Sequence, residues 1–463
     1  MIALSLQEIS RFVGGELCDV PDARVVVNGP VVVDSRHAAP GSLFVAVRGA
    51  RTDGHRFAHA AVSAGATAVL AEHPVGAPAI VVPDARRALG ELARHVLARL
   101  HRPTVIAVTG SAGKTGTKDL LAQVLAAQDV TAAAPSSYNN EIGLPLSVLR
   151  ADEHTRFLVL EMAARAAGDI AYLTSIAPPD VGVVTNVGTA HIGAFGGKEA
   201  ICAAKSELVA ALPGHGLAVL NADDDAVMSM RRGTAAGVMT FGLDGGDVRA
   251  TAVEVDACGR PSFTLHHQGE KARIRLRLHG AHHVANAAAA AAAAMGVGMA
   301  LSDVAEALCR ARRLTPGRMQ VLERADDVVV INDAFNANPD SMAAALAALA
   351  SMAGGRRAVA VLGEMRELGE QSSRHHLELG HRAARAGVSD VIAVGEGDAT
   401  LIRQGAAAAG ARATWVPDRD AALTLLITYV KGGDVVLLKG SHAVGLEDTA
   451  LQLAAAGPSG PSR

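Results

Sequence analysis

Apolar runs of four or five residues, closed by glycine, proline or polar turns, alternate along most of this chain with longer stretches whose apolar positions recur at helical spacing. In the middle of the chain the runs at 105–108, 157–161, 181–185 and 217–220 are continuously apolar, the pattern of parallel strands covered on both faces. Helical stretches follow at 117–127, 168–176 and 198–212, and a β-rich stretch near 248–278 and an alanine-rich helix at 284–295 close the region. Before it, β-rich pieces at 25–27, 31–34, 43–47, 68–71 and 80–82 alternate with helices at 6–13, 57–64 and 85–100. After it, strands at 328–331, 358–362, 390–394 and 435–438 are separated by helices, a second βαβ array. His101-Arg102-Pro103 ends the long helix, because the residue before a proline is pushed out of helical conformation. The pattern predicts an α/β chain of three domains, 1–102, 103–314 and 315–456, with a disordered tail at 457–463.

Length agrees with this division, since 463 residues exceed what one core can hold. A net charge of -3 gives no basic field for nucleic acid, so small-molecule partners are expected. The four cysteines, Cys18, Cys202, Cys258 and Cys309, form no CxxC pair, which suits a reducing compartment and argues against a zinc cage or a disulfide frame. The opening MIALSLQEISRFVGG lacks a basic segment followed by an apolar core, and the alanine run from Ala287 is about half of what a bilayer requires. A cytoplasmic protein is the expectation, with the alanine helix packed inside it.

The most informative chemistry follows the strand at 105–108. Thr109-Gly110-Ser111-Ala112-Gly113-Lys114-Thr115 is a glycine turn between a strand and a helix. Its glycines let backbone N–H groups approach an anion, the helix aims its positive end at the same point, Lys114 adds a charge, and Thr115 can offer a hydroxyl to Mg²⁺. Val108 stands where the general pattern has glycine, so this is a shorter variant of the loop. The flanking strand and helix make nucleotide binding the expected role.

Other polar residues sit where α/β sheets place ligands, just past strand ends. Glu161 closes an apolar strand, where a carboxylate needs a partner: it is either a magnesium ligand or one half of a salt bridge. His191 follows the next strand and is either a capping residue or part of the same edge as Lys114. Lys205 lies among Ile201, Leu208 and Val209 on a helix, where a lysine ordinarily reaches for water. Asn332-Asp333-Ala334-Phe335-Asn336-Ala337-Asn338-Pro339-Asp340-Ser341 reads as a rigid polar turn with a helix cap at Asp340 or Ser341.

Taken together, the chain resembles the Mur ligase family, and most closely its branch that adds D-alanyl-D-alanine. In the first third the likeness rests on Asp34-Ser35-Arg36, residues 40–46 and Asp53-Gly54-His55. In the second it rests on residues 109–115, Asn139-Asn140-Glu141-Ile142-Gly143, Leu160-Glu161-Met162, residues 186–191 and Ala204-Lys205. In the last it rests on Pro316-Gly317-Arg318, Asn336-Ala337-Asn338-Pro339, residues 362–369 and Lys439-Gly440-Ser441.

The resemblance implies a small N-terminal domain for the UDP end of the substrate, a central ATPase sheet of the P-loop type and a C-terminal Rossmann-like domain. It implies ATP bound by residues 109–115, Asn286, Arg318 and Asp333. One Mg²⁺ would sit on Thr115 and Glu161, and a second on His191 and a carbamylated Lys205. UDP-N-acetylmuramoyl-tripeptide and D-alanyl-D-alanine are the implied substrates, with Ser35, Arg36, Asn139, Asn140, Asn336 and Asn338 in their sites, in a monomeric cytoplasmic enzyme of cell-wall synthesis. Lys114, His191 and Lys205 would be catalytic. The chain departs from the family pattern at Gly116, His283, the Asn332–Phe335 run and His442, so the amine substrate is less firmly implied than the reaction. The rivals are a sister ligase that adds a single amino acid, a folylpolyglutamate synthase-like ligase, and a nucleotide-dependent switch with no acceptor chemistry.

Overall fold

The computed structural model describes residues 1–49, 52–188, 192–312 and 315–457. Three mixed sheets carry the chain, each mostly parallel, as the continuously apolar runs require. The first has the order Glu16–Cys18, Ala79–Val81, Ala68–Ala71, Leu43–Val45, Val31–Val32, with only the first of these antiparallel.

The central sheet runs Thr131–Ala133, Phe157–Glu161, Thr104–Thr109, Val181–Val184, Leu217–Asn221, Gly237–Gly242, Val248–Val255 in parallel. The antiparallel strands Pro261–His267 and Glu270–Arg275 extend it. Thr104–Thr109 lies between the strands that end at Glu161 and Val184, with Glu161 opposite Val108 and Val184 opposite Thr109. The chain changes direction across the sheet at this strand, and such a point opens a crevice beyond the strand ends.

The third sheet runs Gln320–Glu323, Val329–Asn332, Val435–Lys439, Ala358–Gly363, Asp390–Val394, Arg412–Val416, again with only the first antiparallel.

Several elements were not legible in the pattern. Strands Glu16–Cys18, Gln320–Glu323 and Arg412–Val416 have partly exposed edges and mixed composition, and helix Leu301–Arg310 follows the alanine helix directly. The helix expected from 117 begins at Lys114, because Gly113 takes a left-handed φ of 81° and starts it one turn earlier. The tail expected from 457 lies outside the described residues except for Gly457, whose carbonyl accepts from Arg324 at 3.3 Å. The alanine helix, His283–Gly296, is buried as expected, and among the described residues no helix is long and apolar enough to cross a membrane.

The cores show how the three sheets are joined. Leu89, Leu92 and Val96 of helix Ala85–Arg99 share one apolar cluster with Leu144, Leu158 and Leu173 of the central region, so the first two units are welded together. The third sheet has clusters on its two faces that draw only on its own residues. It meets the rest across a polar cleft, the arrangement that permits rigid-body opening.

The alanine helix packs against Lys114–Ala126, and eight consecutive alanines from Ala287 have no exposed surface, so there is no room for a larger side chain. Ala290→Leu should lower stability by about 1–3 kcal/mol through overpacking, read as a fall in the urea midpoint. An unchanged midpoint would show a looser interface.

Candidate active site

The glycine turn is held from behind. Asn186, two residues past the neighbouring strand, accepts from the N–H groups of Ser111 and Ala112 on its Oδ1 at 3.1 and 2.8 Å and donates to the Ala112 carbonyl at 3.1 Å. Thr185 Oγ1 donates to the same carbonyl at 2.6 Å. Gly113 needs to be glycine twice over: its φ is positive, and a β-carbon would lie 2.6 Å from Asn286 Oδ1. Lys114 folds back to donate to the Gly110 carbonyl at 2.8 Å, and burial lowers its pKa. The Ser111 hydroxyl is buried on the cavity wall without a hydrogen-bond partner among the described residues.

Glu161 is 1% exposed at the end of its strand, and among the described residues no cation forms an ion pair with it, though its charge acts on nearby Lys114. Its Oε2 accepts from Thr115 Oγ1 at 2.9 Å and its Oε1 from Asn139 Nδ2 at 2.7 Å. Among the described residues the carboxylate is therefore hydrogen-bonded and not salt-bridged. Asn140 Oδ1 accepts from Ile142 N at 3.3 Å and Gly143 N at 2.9 Å, bracing the turn that leads into helix Gly143–Val148.

These groups line one cavity of about 850 Å³, which the third sheet closes from the opposite side. Beyond the end of Val329–Asn332, Asp333 accepts from the Met319 N–H at 3.0 Å and from Lys439 Nζ at 2.7 Å. Burial lowers the Lys439 pKa and the Asp333 charge opposes that. The Arg318 guanidinium stacks 4.4 Å from the centre of the Phe335 ring, and the His442 ring lies 5.6 Å from it, so Phe335 is gripped by two side chains. Asn338, rather than Asp340 or Ser341, is the helix cap: it accepts from Ser341 N at 2.8 Å with Pro339 at the first helical position. Asn336 stands exposed on the same wall.

Asn286 and His283 form the remaining wall. Asn286 Nδ2 donates to His283 Nδ1 at 3.3 Å, and burial holds that imidazole neutral, its pKa well below the ordinary value. Its Nε2 has no partner among the described residues.

Not every expected residue lies on this cavity. Thr109 and Gly110 sit beneath the turn. Ser35 and Arg36 lie on a short 3-10 helix, Ser35–His37, beside the first sheet, where Arg36 pairs with Asp34 at 3.0 Å, and neither lines the cavity. Lys205 is 4% exposed on helix Lys198–Ala210 and does not reach the wall, so the snorkelling expected of a lysine there does not occur. Burial brings its pKa down to about 7, and the Lys114 charge pushes the same way. His191 lies outside the described residues.

Comparison with known proteins agrees with this geometry. The Mur ligase middle domain matches residues 108–294, the Mur ligase glutamate ligase domain matches 317–442, and the Mur ligase family catalytic domain matches 30–97. The chain is 46% identical to the UDP-N-acetylmuramoyl-tripeptide--D-alanyl-D-alanine ligase of Mycobacterium tuberculosis strain H37Rv, over 96% of each chain. The chain belongs to the Mur ligase family.

Among solved Mur ligases, crystal structure II of MurF from Acinetobacter baumannii superposes with a TM-score of 0.86 at 31% identity, covering 98% of this chain and 99% of that one. The MurF ligase of Thermotoga maritima in complex with ADP gives 0.75 at 32% identity, covering 92% and 97%. Within this Mur ligase, sequence reasoning overlooked Ser137, which bonds both Thr115 and Arg318, and Asn186 as the brace of the turn. It also gave no site role to Lys439. Ser137 carries no local signal; Lys439 could have been found as a lone cation ending an apolar strand.

The Lys205 ammonium yields a pH test. Below pH 7 both folded and unfolded chains carry its proton, and the fold bears the full cost of burial. Above pH 7 and up to its ordinary value of 10.5, the unfolded chain keeps a proton that the folded one has lost, so stability rises with pH. In buffer free of carbon dioxide, the unfolding free energy should climb between pH 7 and 10 relative to that of Lys205→Met. Parallel curves would contradict a depressed lysine.

Proposed function

We propose that this chain is the ligase that joins D-alanyl-D-alanine to the terminal carboxylate of UDP-N-acetylmuramoyl-tripeptide at the expense of ATP. The observation that carries the reading is a shared cavity: Lys114, Thr115 and Glu161 stand on one wall, and Asn336 and Asn338 stand on the other. The M. tuberculosis relative of that name, aligned end to end, supports the choice of substrates. In this reading 1–102 takes the UDP end through Ser35 and Arg36, 103–314 holds ATP, and 315–456 closes over both as a monomer in the cytoplasm.

ATP lies with its phosphates on residues 109–115, where the helix end and the Ser111 hydroxyl, unpartnered among the described residues, face it, and with its base and ribose toward Asn286, Arg318 and Asp333. Among the described residues no three His, Cys, Asp or Glu side chains converge as a metal cage. One buried carboxylate and one hydroxyl, Glu161 and Thr115, are nonetheless the oxygen donors that Mg²⁺ takes when phosphates complete its shell. A bound Mg²⁺ supplies charge neutralisation at the phosphates. A lysine with a pKa near 7 is half neutral at physiological pH and can add carbon dioxide, which supports a carbamylated Lys205 as the partner of His191 at a second ion.

The tripeptide carboxylate oxygen attacks the γ-phosphorus, and the bond to the β-γ bridging oxygen breaks, leaving ADP and an acyl phosphate. Lys114 meets the charge that develops. The dipeptide amine, held by Asn336, Asn338 and neighbours of the Asn139-Asn140 turn, then attacks the acyl carbon. Phosphate leaves with the C–O bonding pair, and the amine loses a proton as the amide forms. Closure of the third sheet keeps water from the acyl phosphate.

Phosphate release should require ATP, UDP-N-acetylmuramoyl-tripeptide and D-alanyl-D-alanine together, with a pentapeptide product of matching mass. Release that ignores the dipeptide, or that single amino acids support equally, would contradict the substrate assignment. Lys205→Ala should lose turnover and regain part of it with added short carboxylic acids; a wild-type rate in the unsupplemented variant would remove the carbamate.

A further inference from the structure

Lys118 is a buried cation that the reaction above does not use. It sits one helical turn beyond Lys114 with no exposed surface. Its Nζ donates to the carbonyls of Ala134 at 2.7 Å and Ser136 at 3.0 Å, and it lies 2.7 Å from Asp119 Oδ1. Asp119 in turn accepts from the Thr315 N–H at 2.7 Å, at the entry to the third unit. A fully buried charge is costly unless every donor is used, and here each donor bonds to the segment that carries Ser137 and Asn139 or to its own neighbour on the helix.

Ser137 occupies the point where the two walls of the cavity touch. Its Oγ is 2.8 Å from Thr115 Oγ1 and accepts from Arg318 Nη2 at 3.0 Å. The direction of the chain is fixed by counting protons. Thr115 has one hydroxyl proton and gives it to Glu161, so Ser137 gives its own to Thr115 and receives one from Arg318. Arg318 is held to the third unit through the Phe335 ring. A one-way series of donors therefore runs from the closing unit to the buried carboxylate, and such series strengthen each member.

We infer that Ser137 is a positioning residue that couples closure of the third unit to cation binding at Thr115 and Glu161, and that Lys118 holds Ser137 in register. This rests on the Mg²⁺–nucleotide reading above. By linkage, closure tightens the cation and the cation favours closure.

Calorimetric titration of the full chain with ADP over a series of Mg²⁺ concentrations tests it. Ser137→Ala should still unfold in one cooperative transition while the Mg²⁺ needed for half-maximal ADP affinity rises about tenfold, the worth of one hydrogen bond in a charged network. Ser137→Thr keeps the hydroxyl and should restore the wild-type value. Lys118→Met should shift the Mg²⁺ requirement in the same direction as Ser137→Ala; if it fails to fold, the two serine variants decide. Wild-type Mg²⁺ dependence in Ser137→Ala overturns the coupling. Mg²⁺-independent ADP binding in the wild type removes the reading beneath it instead.

Discussion

A carboxylate at the end of a buried strand, answered among the described residues by a hydroxyl and an amide, is the constraint around which this structure is arranged. Among the described residues Glu161 is hydrogen-bonded only by Thr115 and Asn139, and the opposing charge of Lys114 attracts it without forming an ion pair. That combination is unfavourable for a purely structural residue and well suited to one that shares a divalent ion with phosphate oxygens. The residues around it follow from this need. Gly113 lets the helix start close enough for Thr115 to reach Glu161, and Asn186 fixes the turn that precedes it. Lys114 stays retracted on the Gly110 carbonyl, near enough to meet new negative charge.

The division of the cores explains how the site can open and shut. The first and central sheets share apolar packing, so the first unit and the glycine turn keep a fixed relation. The third sheet keeps its own core and touches the others through polar contacts, Thr315 on Asp119, Arg318 on Ser137, and Gly193 N on the Glu367 carbonyl at 3.3 Å, and through Met352 against Gly259. The polar contacts exchange readily with water, so the closed arrangement can be broken without unfolding any unit. A reaction that passes through a water-sensitive acyl phosphate requires such an arrangement.

Much of this could be read from the chain before any coordinates. The parallel sheets declared themselves because strands covered on both faces must be apolar throughout, as in Val-Ile-Ala-Val at 105–108. The glycine turn was legible because its chemistry is local: backbone N–H groups, a lysine and a hydroxyl within seven residues. Edge strands such as Gln320–Glu323 and Arg412–Val416 were not, since half-exposed edges need no continuous apolar run. The cap at Asn338 was assigned two or three residues late because Asp340 and Ser341 are equally competent by type, and only the backbone conformation chooses. Ser137 and Asn186 were invisible for a different reason: their importance comes wholly from contacts 22 to 181 residues away in the chain. Membership of the Mur ligase family came from the ordered accumulation of short motifs, none of which was decisive alone.

The central claim is that Thr115 and Glu161 form a divalent-cation site completed by nucleotide phosphate. Anomalous scattering from crystals grown with Mn²⁺ and ADP tests it most directly. The account predicts a peak within coordination distance of Thr115 Oγ1, the Glu161 carboxylate and the terminal phosphate of ADP. Nucleotide bound on residues 109–115 with no peak there, and the Thr115–Glu161 hydrogen bond intact at 2.9 Å, would contradict it.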